Sequence, residues 1–270
     1  MDSVSRLLLR SDQGESSVFV VDNLLREARR QLGRPDGAVP RVCVLDPDGD
    51  LVRYLCQSQL ARASSVWACY HTELHEFDTT EGPIGVVGCA VGAPFAVLVA
   101  EEMFASGCEL LISLTSAGQI SNWIPGSCII VIDRALRGEG TSQAYLPPEA
   151  DICADPGLVK MAMDALSGLE TPVLQGTTWT TDAPFRETRS AIARAAEEGA
   201  LAVEMEAAAL YTFAQTSRSN IVCLAHVTNS MAVTAGDFEK GASNGAEQAL
   251  AIINLLASAF YSRPQRSELV

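Results

Sequence analysis

The sequence predicts an α/β fold: a single-domain, three-layer sandwich in which helices flank a central mixed, mostly parallel sheet. Short apolar segments alternate along the chain with longer segments of helical periodicity. The apolar segments carry hydrophobic residues at successive positions, as strands buried on both faces do. With 270 residues, 48% of them hydrophobic, the chain is long enough to build one large core.

Each element is predicted from an apolar or periodic run bounded by turn residues. The predicted strands are 42–46, 83–91, 109–115, 128–133, 172–180 and 221–228. The predicted helices are 19–33, 93–107, 155–168, 184–199 and 244–260. Pro94 and Pro184 suit first helical turns, and Gly107 and Gly199 suit helix ends. We expect residues 1–40 to form an N-terminal helical extension and residues 41–265 to form the domain.

Charge and composition exclude several classes of partner. The net charge is −14 and no run of lysine or arginine occurs, which argues against a nucleic-acid groove or a bound anionic membrane surface. The uncharged segment 82–100 is long enough to span a bilayer, but its glycines and prolines favour a strand, a turn and a helix. A small-molecule partner is therefore expected.

Cysteine and histidine usage indicates the compartment and the absence of a metal. The 8 cysteines lie singly in apolar runs without a CxxC pair, which is typical of reduced, core-packed thiols in a cytoplasmic protein. The three-leucine run near the N-terminus is too short for a signal peptide. His71 and His75 are four apart, but no third ligand lies near them, so neither a metal nor another cofactor is expected.

A pair of glutamates stands in the apolar stretch ALAVEMEAAALYTFA, residues 200–214. These residues are good helix formers, and on a helix Glu204 and Glu206 would point roughly 200° apart. At least one of them must therefore turn inward. One interpretation has Glu204 exposed and Glu206 bonded to a backbone amide. The other is a buried carboxylate that accepts two hydroxyls of a sugar.

Three polar turns follow predicted strands. TSAGQI (115–120) could hold an oxyanion or a sugar hydroxyl, although such segments are often plain turns. TTDAPFRET (180–188) carries Phe185 and Glu187, and a loop with a helix cap explains it equally well. HVTNSM (226–231) ends a strand in an asparagine whose amide suits a nucleobase edge or the cap of a turn.

Together these segments resemble the nucleoside phosphorylase superfamily, which includes purine nucleoside phosphorylases, uridine phosphorylases and methylthioadenosine nucleosidases. The resemblance runs from about Val42 to the C-terminal helix and is most specific at VEMEAAAL (203–210). Further similar segments are GCAVGAP, LISLTSAG, RGEGTSQAYLPP and TTDAPFRET. The resemblance implies cleavage of an N-glycosidic bond, a nucleoside or nucleobase as partner, and a homo-oligomer built from dimers, up to a hexamer.

The resemblance also implies roles for single residues. Glu206 would bind the ribose 2′ and 3′ hydroxyls, with Met205 packed on the sugar and Ser116 beside it. The base would lie between Phe185, as a stacking ring or alternatively a core residue, and the strand end at Thr228 and Asn229. Glu187 would also face the base. Asn229, standing where some members have aspartate, would hydrogen-bond a 6-oxopurine as it departs.

The sequence departs from the family where phosphate is bound. In LDPDGDLVR (45–53), Leu45 replaces the expected glycine, and Gly49 or Asp50 stands where an arginine is expected. Ser113 takes the place of a second arginine, and His71 falls near the place of a third that comes from a neighbouring subunit. Phosphate recognition of the usual kind is therefore not expected, and Ser113, Ser116 and His71 are the remaining acceptor-site candidates.

The departures leave three activities open. Asp48 or Asp50 could act as the general base for an attacking water, as a glutamate does in the hydrolytic members, or could belong to a plain acidic turn. The family as a whole favours phosphorolysis, so a nucleoside phosphorylase-type enzyme with an altered acceptor site is the leading expectation. The third possibility is a protein that binds a nucleoside or base without turnover.

Overall fold

The structure, a computed structural model, describes residues 15–229 and 240–263. The strands are β1 (Val42–Asp46), β2 (Ala61–Ala63), β3 (Leu74–Thr79), β4 (Gly82–Gly88), β5 (Leu110–Gln119), β6 (Cys128–Gly138), β7 (Val173–Thr181), β8 (Ala200–Glu204) and β9 (Asn220–Asn229). The α-helices are α1 (Val21–Leu32), α2 (Asp50–Gln57), α3 (Ala93–Ala105), α4 (Pro156–Leu166), α5 (Arg189–Glu197), α6 (Ala207–Ser217) and α7 (Ala246–Tyr261).

These strands form one sheet with the order β2-β3-β4-β1-β5-β8-β7-β6-β9. A further parallel pairing joins β5 to β9, so the second half of the sheet closes on itself. Parallel pairs join β1 to β4 and β5, β5 to β9, and β7 to β6 and β8. Antiparallel pairs join β2 to β3, β3 to β4, β5 to β8 and β6 to β9. The predicted mixed, mostly parallel sheet is confirmed.

Helices cover both faces of this sheet. Helix α3 packs against α1 and α6, whereas α7 packs against α2 and α4, so the two groups form separate layers. Every residue of β1 is buried, as expected for a strand with a helical layer on each face. The three-layer sandwich with a single main core is confirmed. The segment 82–100 is β4, a glycine turn and α3, as predicted.

The structure corrects the prediction around the paired glutamates. Residues 200–214 are not one helix: Ala200–Glu204 is β8, and α6 begins only at Ala207. Pairing with β7 and β5 overrides the helix propensity of these residues. The predicted helix 184–199 also begins late, at Arg189, after a 3₁₀ turn at Pro184–Arg186.

Two further observations concern membranes and thiols. Within the described ranges, no helix combines the length and the apolar character that crossing a bilayer requires.

All eight cysteines are free thiols, but the prediction that they are core residues is wrong for Cys56, Cys89 and Cys153, which are exposed. These three lie in loops or on the solvent side of a helix, where an apolar neighbourhood in sequence does not ensure burial.

Candidate active site

Glu204 is a buried structural carboxylate. It was one interpretation of the sequence that Glu204 is exposed, but only 3% of its surface is accessible. Its Oε1 accepts hydrogen bonds from the hydroxyls of Thr178 (3.1 Å) and Thr180 (2.5 Å). Its Oε2 accepts from the backbone N–H groups of Glu206 and Ala207, both at 2.7 Å. Burial raises the pKa of Glu204, and these four donors oppose the shift. Glu204 therefore fixes the junction between β8 and α6.

Glu206 is also buried, but only half of its carboxylate is bonded. It stands at the N-cap position of α6, and its Oε1 accepts the N–H of Gly92 at 2.7 Å. Its Oε2 is buried and has no hydrogen-bond partner among the described residues. Burial raises the pKa of Glu206 to about 8, the charge of Glu204 adds to the shift, and donors at Gly92 and Thr115 oppose it. Glu206 thus offers one buried oxygen to an added donor.

An acidic loop follows β1 and reaches the second half of β5, where residues 115–119 continue the strand instead of forming the predicted turn because they pair with β9 and β8. The carboxylate of Asp48 accepts the backbone N–H of Ser116 on Oδ2 and its hydroxyl on Oδ1, both at 3.0 Å. The Nζ of Lys240 lies 3.0 Å from Asp48 Oδ2 and 2.7 Å from Asp50 Oδ2. Sequence reasoning had not singled out Lys240. The donors at Ser116 therefore already hold an anion, which is the side chain of Asp48.

The loop concentrates negative charge. Burial raises the pKa of Asp46 to about 6, and the charges of Asp48 and Asp50 add to this shift. Asp50 is partly buried, but hydrogen bonds from Lys240 and Arg53 outweigh burial and lower its pKa. The Asp50 carboxylate is therefore ionised at neutral pH, and it is paired with the two cations Lys240 and Arg53.

The end of β9 lies beside the same part of β5. Asn229 is buried, and its Nδ2 contacts the carbonyl oxygen of Ala117 at 3.5 Å and the hydroxyl of Thr228 at 3.4 Å. The parallel pairing of β5 and β9 sets this position, with Gly118 opposite Asn229. The last two residues of the motif HVTNSM, at 230 and 231, lie outside the described residues.

The predicted base-binding loop follows β7. Phe185 lies in the 3₁₀ turn with 99% of its surface accessible, so the core-packing alternative for this ring is wrong. Glu187 follows it and is half-buried, and burial raises its pKa. The loop is joined to the glutamates through Thr180, whose hydroxyl donates to Glu204 and accepts the N–H of Ala208.

Three predicted site residues remain: Met205, Ser113 and His71. Met205 is half-buried between the two glutamates. Ser113 is buried inside the sheet opposite Leu45 of β1, and it points to the same side as Thr115 because the two are two residues apart. His71 is exposed, and its ring packs edge-on against Phe95 of α3 at a centroid distance of 6.5 Å. The contacts of His71 are therefore with α3 rather than with Ser116.

The structure thus gathers several site residues around the second half of β5: Thr115 acts on the pKa of Glu206, Ser116 bonds Asp48, and Asn229 contacts the next residue, Ala117. Gly92, Thr115 and Lys240 belong to this group but were not predicted as site residues. Gly92 could have been found, because GCAVGAP follows a strand and opens a helix. Over the described ranges, no group of three His, Cys, Asp or Glu side chains could hold a metal ion.

Comparison with known proteins identifies the family. Residues 39–258 match the family model described as the phosphorylase superfamily. The uridine phosphorylase of Thermococcus kodakarensis is 28% identical over 201 residues, covering 65% of this chain and 73% of its own. The DeoD-type purine nucleoside phosphorylase of Brevibacillus brevis is 26% identical over 205 residues, covering 73% of this chain and 85% of its own.

A solved structure supports the fold independently. The uridine phosphorylase of Vibrio fischeri ES114 superimposes with a TM-score of 0.69 at 21% identity, covering 83% of this chain and 92% of that one. At this identity the likeness concerns the fold alone. With a family match over most of its length, a shared fold and the predicted motifs in place, the chain belongs to the phosphorylase superfamily.

Proposed function

We propose that this protein cleaves the N-glycosidic bond of a nucleoside and that Glu206 binds the 2′ and 3′ hydroxyls of its ribose. The observation that carries the proposal is the buried, unpartnered Oε2 of Glu206. Leaving such an oxygen without a donor costs free energy, and a vicinal diol supplies two donors to one carboxylate. Met205 packs on the sugar and Ser116 lies beside it. The names of the related phosphorylases support the same chemistry.

The base is a purine, and specifically a 6-oxopurine. The side-chain amide of Asn229 can donate to one purine edge atom and accept from another, as O6 and protonated N1 or N7 require. Thr228 and Glu187 supply further polar groups, and the exposed ring of Phe185 is available for stacking on the base. Asn229 stabilises the negative charge that develops on the base as the bond to the sugar breaks.

Water, rather than phosphate, is the acceptor. The N–H and hydroxyl of Ser116, which suit an oxyanion, are bonded to the Asp48 carboxylate. A phosphate placed there would also meet the charges of Asp46 and Asp50 at short range. Because phosphate is not bound in this proposal, Ser113 and His71 have no role in binding the acceptor.

The proposed step is balanced as follows. The oxygen of water bonds to C1′ as the bond from C1′ to the base nitrogen breaks. One proton of the water passes to the Asp48 carboxylate, and the base leaves with the electron pair and takes a proton from solvent. Asp48 then returns its proton to solvent. The products are free ribose and free base, and Asp50 keeps the loop charged and fixed.

The test is base release from inosine, adenosine and uridine, each with and without inorganic phosphate, with the sugar product identified by chromatography. We expect hypoxanthine and free ribose at a rate that phosphate does not change. Asp48→Asn should lower this rate by about 10²- to 10⁴-fold, the usual contribution of a general base. Asp78→Asn, at an exposed position on β3, is the matched control and should leave the rate unchanged.

Each alternative has its own outcome in the same experiment. Ribose 1-phosphate and a rate that rises with phosphate would contradict water as the acceptor. Faster release of uracil than of any purine would contradict the base assignment. Binding of inosine in a calorimeter without base release would indicate a protein that binds nucleosides without turnover.

The assembly is a homo-oligomer built from dimers, up to a hexamer, in the cytoplasm. Three large apolar residues are exposed in this region: Tyr70 before β3, Val91 in the turn before α3, and Leu98 on α3. The ring of His71, next to Tyr70, packs against Phe95 of α3. Eight free thiols are typical of a reducing compartment. Size-exclusion chromatography with light scattering measures the mass of the assembly. A monomer at micromolar concentration would contradict this assignment. Leu98→Glu should weaken a dimer formed through these residues.

A further inference from the structure

Lys240 is the cation of the acidic loop. It precedes the 3₁₀ turn Ala242–Gly245 that leads into α7, and its side chain is only 18% exposed. Its ammonium lies 3.0 Å from Asp48 and 2.7 Å from Asp50, so a single positive charge holds both carboxylates. Burial alone would lower the pKa of Lys240, but Asp50 and Asp48 outweigh burial and raise it. Lys240 is therefore charged in this place.

The other basic groups near the loop do not replace it. Arg53 bonds Asp50 at 2.6 Å and the backbone carbonyl of Asp48 at 2.8 Å, but within the described ranges only Lys240 pairs with the Asp48 carboxylate. His226 lines the same small cavity, of about 30 Å³, behind the loop. Burial lowers the pKa of His226, the charge of Lys240 lowers it further, and Asp48 opposes the shift. The imidazole is therefore neutral near pH 7.

The backbone that follows Lys240 forms a strained turn. Ser243 and Asn244 have φ of 51° and 53°, and Gly245 has φ of 79°. A Cβ at Gly245 would lie 3.0 Å from the carbonyl oxygen of Lys240, so this turn requires glycine. Left-handed conformations at two residues other than glycine are strained, and such strain persists where the surrounding contacts over-determine it. The double ion pair of Lys240 is one contact beside this turn.

We propose that Lys240 is a positioning residue for the acceptor step. It holds the Asp48 carboxylate beside Ser116 through the ion pair, although two further aspartates of the loop repel that carboxylate. This inference rests on the proposed cleavage by water. It assigns to Lys240 no contact with the substrate: its action passes through Asp48 alone. Lys240 should therefore affect turnover and its dependence on pH, and not the affinity for the nucleoside.

The test compares Lys240→Met, which keeps the length of the side chain, with Lys240→Arg, which keeps its charge. We expect Lys240→Met to lower kcat at least tenfold with KM for inosine changed less than twofold. The acid limb of its kcat profile should move to higher pH, because the loop loses its counter-charge. Lys240→Arg should recover most of kcat. Lys160→Met removes the only other lysine, an exposed one on α4, and should behave as wild type.

A second readout does not depend on turnover. Carboxyl carbon NMR follows the titration of Asp50, whose pKa is lowered in part by Lys240, and its midpoint should rise in Lys240→Met. Wild-type kcat and an unchanged pH profile in Lys240→Met would overturn the role of Lys240 while leaving the proposed function intact. If the wild type releases no base, the proposed function is wrong and the role of Lys240 in the acceptor step falls with it. An unmoved midpoint for Asp50 in Lys240→Met would overturn the inference even in an active enzyme, because the ion pair that carries it would not exist.

Discussion

The protonation state of Glu206 leads to a quantitative prediction. Its pKa is raised to about 8, mainly by burial and then by the charge of Glu204. At pH 7 about one molecule in ten therefore carries the ionised carboxylate, the form that we propose binds a diol. Each pKa unit corresponds to about 1.4 kcal/mol, so ionising this group at pH 7 costs about 1.4 kcal/mol of binding free energy. At pH 9 this cost has disappeared.

Glu206→Gln separates the carboxylate from the rest of the site. A hydrogen bond to a charged group contributes about 1.5–3 kcal/mol, which corresponds to roughly tenfold to hundredfold in kcat/KM. The full loss should appear at pH 9. At pH 7 the cost of ionising Glu206 removes about tenfold of the wild-type advantage. The kcat/KM of the variant should therefore lie between the wild-type value and about one tenth of that value. The ratio of wild-type to variant kcat/KM should therefore rise about tenfold from pH 7 to pH 9.

The assay is release of hypoxanthine from inosine at subsaturating concentration between pH 6 and pH 9.5. Glu197→Gln, at an exposed position in α5, is the control and should follow the wild-type profile. A ratio between wild type and Glu206→Gln that stays constant over this range would refute the reasoning. An equal KM and kcat for 2′,3′-dideoxyinosine and inosine in the wild type would do so too, because that substrate lacks the diol.

The same raised pKa bears on stability. The folded protein binds the proton of Glu206 more tightly than the unfolded chain does, whose glutamates titrate near 4.5. This contribution to stability is fully present below about pH 4.5 and is lost as the pH rises to about 8. Urea unfolding of wild type and Glu206→Gln across this window measures it, and the variant should lack this loss.

The remaining predictions concern three other residues. Glu204→Gln should destabilise the fold by about 3–5 kcal/mol in urea, because the amide has only one acceptor oxygen and two of the four donors to Glu204 would lose their acceptor; a loss under about 1 kcal/mol would be inconsistent with four bonds to this carboxylate. Phe185→Ala should leave stability within about 0.5 kcal/mol and raise KM for inosine roughly fivefold or more, since stacking on a base is worth about 1–3 kcal/mol. An unchanged KM would remove Phe185 from the base site. Asn229→Asp should shift kcat/KM from inosine toward adenosine, and an unchanged preference would mean that Asn229 does not contact the base edge.

Elements were predicted correctly where the pattern of residues is compatible with only one conformation. The strand predicted at 42–46 is β1 to the residue, because a run buried on both faces has little choice of conformation. β2 and β3 were missed because they are short, lie at the edge of the sheet and carry charged residues such as Arg62 and Glu76. β8 was missed because its residues favour helices, and only its neighbours in the sheet make it a strand.

The candidate site, too, was predictable from local sequence only in part. Glu206 was predicted to turn inward from its place in an apolar run, and it does so. That Glu204 is buried with it depends on Thr178 and Thr180 of another strand, which no local pattern reveals. The bond between Lys240 and Asp50 joins residues 190 positions apart. Sequence spacing carries no information about such a contact, and a lysine in a glycine-rich turn looks like any solvated surface charge.

Strand β5 also has a consequence for the dynamics of the site. Strand β9 pairs with it along residues 110–118, whereas β1 pairs only with residues 110–113 and β8 only with Gly118 and Gln119. Ser116 lies between the β1 and β8 pairings, and its N–H donates to the Asp48 carboxylate instead of to a neighbouring strand. The amide hydrogens of residues 110–113 should therefore exchange with deuterium only through global unfolding, whereas the amide hydrogen of Ser116 should exchange whenever the acidic loop moves away. Adaptation of this donor to a ligand would then require a movement of the loop alone, with the rest of the strand in place.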